Sequence, residues 1–105
     1  MIFRRNRFAD VVARQLDVFA EDEAEGLLEE VRDAKAVYDR ADRDESEELY
    51  GDYMDVVEAA TEALADMRWR YTATLDEPAA AEYEDAFNRA VRKRWPALGL
   101  EIDNR

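Results

Sequence analysis

Residues 50–71 read YGDYMDVVEAATEALADMRWRY, and their spacing decides the fold. Tyr50, Tyr53, Val57, Ala60, Leu64, Met67 and Tyr71 recur at alternating intervals of three and four, which are seven successive a and d positions of a helical heptad. Asp44, with Glu47 three residues later, supplies an N-cap and a carboxylate at N3. Thr72 and Thr74 lower helical propensity ahead of Pro78. The pattern predicts a helix over 45–73, about 44 Å long at roughly 1.5 Å per residue.

Three flanking segments read as partners for this helix. Phe8, Val11, Val12, Leu16 and Phe19 form one apolar stripe after an Asn6 cap. Leu27, Val31, Ala34, Tyr38 and Ala41 form a second after Asp22, with Glu25 at N3. Gly26 and the acidic run from Glu21 to Glu25 place a break between them, although a continuous helix over 7–41 would match the long helix along its whole length. A further helix starts near Pro78, which suits N1, turns Tyr83, Phe87, Ala90 and Val91 inward, and stops at Trp95 because Pro96 follows. Trp95, its last apolar residue, is expected to cap the core near Val57. Beyond it Leu98, Leu100 and Ile102 alternate as in an extended tail.

The expected fold is all-α, an antiparallel up-down bundle of three or four helices with a long central helix. It comprises one domain over 1–105, with a basic N-terminal segment 1–6 and a C-terminal tail 97–105. Antiparallel pairing of the last two helices puts Glu82 near Arg70, Asp85 near Arg68, Arg89 near Glu62 and Arg94 near Glu58. Folding the second helix onto the long one puts Lys35 near Asp52 and Arg32 near Asp55. Every one of these pairs is opposite in sign.

Composition narrows the chemistry. The 105 residues include no histidine and no cysteine, and Ser46 is the only serine. The chain therefore has no imidazole base, no thiolate nucleophile and none of the usual zinc, haem or iron–sulfur ligands. Net charge is −12, yet 48% of residues are hydrophobic, which is too apolar for a disordered chain. The ends are basic and the middle is acidic: residues 21–50 carry thirteen acids and four bases, whereas 86–105 carry two acids and five bases. Short apolar runs and the lack of an apolar N-terminal stretch argue against a membrane span or secretory signal and for the cytoplasm.

Several segments compete as sites. Asp42, Asp44 and Ser46 open like an EF-hand calcium loop, but Glu47 stands where the sharp turn needs glycine and Tyr53 where a bidentate glutamate belongs. A solvated, capped turn is the better reading. Asp55, Glu58, Glu62 and Asp66 share the long helix's outer face, but helical di-iron sites add Glu-x-x-His ligands that this chain lacks. Trp69 falls about 150° from the core direction at roughly 100° per residue, between Arg68 and Arg70. Tryptophan and arginine are enriched at binding hot spots, although in a bundle this small cover by the last helix or the N-terminal segment is the commoner fate of such an indole. The basic ends, MIFRRNRF at 1–8 and Arg89, Arg92, Lys93 and Arg94 beside Trp95, are too short and too outweighed by acid to favour phosphate or lipid.

The sequence reading is a small acidic helical interaction or regulatory module without catalytic activity, and without cofactor or metal. It binds another protein or itself, with Trp69, Arg68, Arg70, Glu58 and Glu62 as interaction residues, and neither contacts nucleic acid directly nor inserts into a membrane. The alternative is an acidic nucleic-acid mimic that fills a basic protein's groove. Thirteen arginines to two lysines, with 18 alanines, look like coding bias, so composition alone accounts for part of the charge.

Overall fold

The computed structural model describes residues 7–105, and its longest element is the helix the heptad predicts. In chain order the elements are α1 (Ala9–Asp22), α2 (Leu27–Asp39), α3 (Ser46–Thr72), α4 (Glu77–Arg94) and α5 (Pro96–Asp103). Among the described residues there is no strand, so the protein is all-α.

Ring contacts fix the directions. Phe8, just before α1, meets Tyr71 at the end of α3 (6.4 Å) and Tyr83 in the first half of α4 (5.5 Å). Phe19, near the end of α1, meets Trp95 just past α4 (5.6 Å). Helix α1 thus runs beside α4 in the same direction, and both oppose α3. Tyr38, near the end of α2, stacks on Tyr53 near the start of α3 at 6.2 Å, so α2 also opposes α3. Helices α1 and α2 therefore follow one another past the spine. The envelope measures 56 × 28 × 21 Å. Its radius of gyration is 15.8 Å, against about 13 Å for a compact domain of this length.

The break between α1 and α2 falls where Gly26 and the acidic run predict it, but the cap differs. Asp22 ends α1, and the Glu23 carboxylate accepts from the Leu27 N–H at 3.0 Å. A Cβ at Gly26 would lie 2.7 Å from that carboxylate oxygen, so glycine leaves room for the capping group. The Asn6 cap and the basic segment 1–6 lie outside the described residues. Nor does Asp44 cap α3: Glu45 precedes the helix without a side-chain bond, and Asp42 Oδ1 instead accepts from the Glu45 N–H. The cap on α4 comes from Asp76, which accepts from the Ala79 N–H, with Pro78 in the first turn.

Leu64 is fully buried at the middle of the spine and shares one core cluster with Val57, Ala60, Tyr83, Phe87 and Val91. Burial weakens toward the start of α3. Tyr50, expected in the core, is 47% exposed, with its ring against Tyr38 of α2 and Tyr53 of its own helix. Trp95 is partly buried, its contact with Phe19 being edge-on.

The tail requires the main correction. Residues 96–103 are a helix, with Leu98, Gly99 and Ile102 buried and Leu100 73% exposed. Pro96 ends α4, as expected, but it also occupies the first position of α5, where its fixed φ suits a helix start. The inward residues then follow i, i+4 spacing instead of strict alternation. Helix α5 packs on both α3 and α4. A Cβ at Gly99 would come within 2.8 Å of Arg92 Cγ and 3.3 Å of its Cα, so glycine sets how closely α5 approaches α4.

The expected cross-helix ion pairs are replaced by others. Glu82 pairs with Arg7, Arg89 with Asp85 on its own helix, Arg94 with Asp17, Glu62 with Arg105 and Lys35 with Asp39. Arg32 donates to the Ala24 carbonyl. The reason is partly topological, because α1 lies along α4 where the expected register assumed α3 alone.

Candidate interaction site

The outward face of α3 carries Asp55, Glu58, Glu62, Asp66 and Trp69. Relative to Glu62 they stand at offsets of −7, −4, 0, +4 and +7, so all five project within about 40° of one direction. All five are exposed in the folded chain, Trp69 at 68%. The indole thus shares its face with four carboxylates. Among these acids only Glu62 forms an ion pair within the described residues, to Arg105 Nε at 3.7 Å.

The neighbours of Trp69 separate. Arg70 is exposed and makes no ion pair among the described residues. Arg68, expected beside Trp69 on the surface, is only 5% exposed and is no part of that face. It lies four residues after Leu64, one helical turn along the core side. Its Nη1 donates to Asn88 Oδ1 at 2.7 Å and to the Ile102 carbonyl at 3.3 Å, and its Nη2 donates to the Arg105 carbonyl at 2.7 Å. Arg68 therefore ties α3 to α4 and to the end of α5. The i, i+4 relation to Leu64 was the sequence signal for this role.

Elsewhere the arrangement offers little chemistry. Tyr83 is pushed up to about 12, chiefly by burial, while its hydroxyl donates to Gln15 Oε1 at 2.7 Å. A wholly buried phenol cannot reach a substrate. Lys35 is raised first by its hydrogen bond to Asp39, a short exposed pair one helical turn apart. The turn at 42–48 is closed by its own bonds, Glu45 N–H to Asp42 and Ser46 Oγ to the Arg43 carbonyl. Among the described residues no three Asp or Glu side chains converge on a metal-sized site. Nor is any of their helices long and apolar enough to cross a membrane. No protein-family model matches the chain, and no curated protein and no solved structure is significantly similar to it.

Proposed function

We propose that this chain is a small cytoplasmic interaction or regulatory module without catalytic activity, and that the outward face of α3 docks a basic partner, another protein or a second copy. The observation that carries this reading is the exposure of Trp69 at the C-terminal end of an acidic stripe on the longest helix of the fold. An indole left uncovered by α4 and α5 is the residue type that most often anchors an interface. The surrounding carboxylates favour a cationic counterpart, including a guanidinium laid over the ring.

A second reading has its own support. Asp55, Glu58 and Asp66 are exposed and make no ion pair among the described residues, so the stripe offers uncompensated charge at regular intervals. A nucleic-acid mimic would use that row without needing the indole.

Affinity capture from the native host, compared by mass spectrometry for wild type, Trp69→Ala and the double variant Glu58→Lys/Glu62→Lys at two salt concentrations, tests both readings. An anchored interface loses its partner on Trp69→Ala, by roughly 2 kcal/mol or more. A mimic keeps the partner on Trp69→Ala, loses it on charge reversal and weakens steeply with salt. A partner retained by both variants at both salts refutes this face as the docking surface.

A further inference from the structure

The notch where α4 turns into α5 opens toward α2 as a groove of about 270 Å³. Its walls are apolar and firmly packed: Leu28 from α2, Tyr53 from α3 and Leu98 from α5 are all buried, and Trp95 stands at one side. Its charged lining residues are Arg32, Lys35 and Arg94, with no acid among them. In a chain with 27 acids and 15 bases this is a local inversion of sign. Two of the three cations are occupied, Lys35 by Asp39 and Arg94 by Asp17. Arg32 is not: it donates one bond, to the Ala24 carbonyl at 3.2 Å, and forms no ion pair among the described residues. A guanidinium has five N–H donors in a planar fork that matches a carboxylate, so most of its capacity is free at the edge of an apolar groove.

We propose that this groove binds a small amphipathic carboxylate, with its apolar body against Leu28, Tyr53 and Leu98 and its head group on Arg32. The site is independent of the docking face described above. Tyr53 precedes Trp69 by sixteen residues, which puts the two side chains about 160° apart around α3. A few well-placed polar groups at the rim of a mainly apolar cleft are the usual composition of small-ligand sites. The neighbouring groove between α1 and α4 also has a basic rim, but apart from Val12 its apolar lining is alanine, from Ala9, Ala13, Ala86 and Ala90, and Arg94 bonds to Asp17 and to the Ala13 carbonyl there.

The test is calorimetric titration of the full chain with octanoate and, separately, with octylammonium. Octanoate is expected to bind one-to-one and octylammonium to give no saturable heat. Arg32→Ala should weaken octanoate at least tenfold. Ala97→Trp, at an exposed position that lines the groove, should abolish binding, and Ala13→Trp, in the alanine groove, should leave it unchanged. Trp69→Ala should also leave it unchanged, whatever becomes of partner capture. Amide shifts of Leu28 and Leu98 on adding octanoate to the wild-type chain give a second readout that does not depend on any variant folding. Absence of saturable octanoate binding, equal binding of octylammonium, or shifts that bypass Leu28 and Leu98 would overturn the assignment.

Discussion

Replacing Arg68 by alanine should cost far more stability than replacing its neighbour Trp69. Arg68 makes two short hydrogen bonds and one longer one, and these join α3 to Asn88 on α4 and to the carbonyls of Ile102 and Arg105. Hydrogen bonds from charged donors contribute about 1.5–3 kcal/mol each, but bonds made by one side chain do not add fully. Two strong bonds with partial overlap give an expected loss of about 2–4 kcal/mol. That is a large share of the roughly 5–15 kcal/mol that holds a domain of this size. Trp69→Ala removes a side chain that is 68% exposed and substitutes a better helix former, so its expected cost is below about 0.5 kcal/mol. Urea melts followed by circular dichroism measure both. Hydrogen exchange on Arg68→Ala should show residues 96–103 losing protection first, since that helix is what the guanidinium holds. A loss under half a kcal/mol for Arg68→Ala, or a larger loss for Trp69→Ala, would refute the assignment of one residue to the core tie and the other to the surface.

Other expectations follow from the packing. Leu64→Ala, at a fully buried position in the middle of α3, should cost about 2–5 kcal/mol in denaturant melts. Gly99→Val should cost about 1–3 kcal/mol, because its side chain would run into Arg92 and push α5 off α4, with Leu98 and Ile102 gaining solvent contact. Tyr83 ionises at about 12 in the folded chain and at about 10 when unfolded. Between those values the unfolded chain has released a proton that the folded chain keeps, so stability should fall as pH rises through that window. Tyr83→Phe should remove part of this alkaline loss, read as a smaller shift of the urea midpoint between about pH 9 and pH 11.

The parts of the fold that could be read from sequence were those with a large burial term behind them. The seven-residue seam gives α3 to within a residue at each end, because misplacing it would expose several apolar side chains at once. The end of α4 at Pro96 was legible for steric reasons. Charge pairing was not, because exposed pairs contribute about 0–1 kcal/mol and long side chains take whichever partner the backbone brings near. Arg89 accordingly settles on Asp85, one turn away, in place of Glu62. The tail reads as extended in the sequence because Leu98, Leu100 and Ile102 fit a strand period, while the helix buries only the first and last of them. In the candidate face, the position of Trp69 on the helix was legible from its offset to the seam. The burial of Arg68 is not legible from its charge, which favours the surface; only its i+4 relation to Leu64 points inward.

The break at residues 23–26 has a consequence for how the molecule opens. Tyr38 of α2 packs on Tyr50 and Tyr53 near the start of α3, whereas Phe8 ahead of α1 and the end of α5 meet Tyr71 and Arg68 near its end. The spine is thus continuous in hydrogen bonding but uneven in cover, and a local opening can release the end of α2 and the first turns of α3 ahead of the rest. Slowly exchanging amides should concentrate between Val57 and Arg68, and those before Tyr53 should exchange at a lower free energy although they belong to the same helix. The molecule would then behave as two cooperative units that share one rod, the outer unit able to melt and re-form while the inner one stays folded.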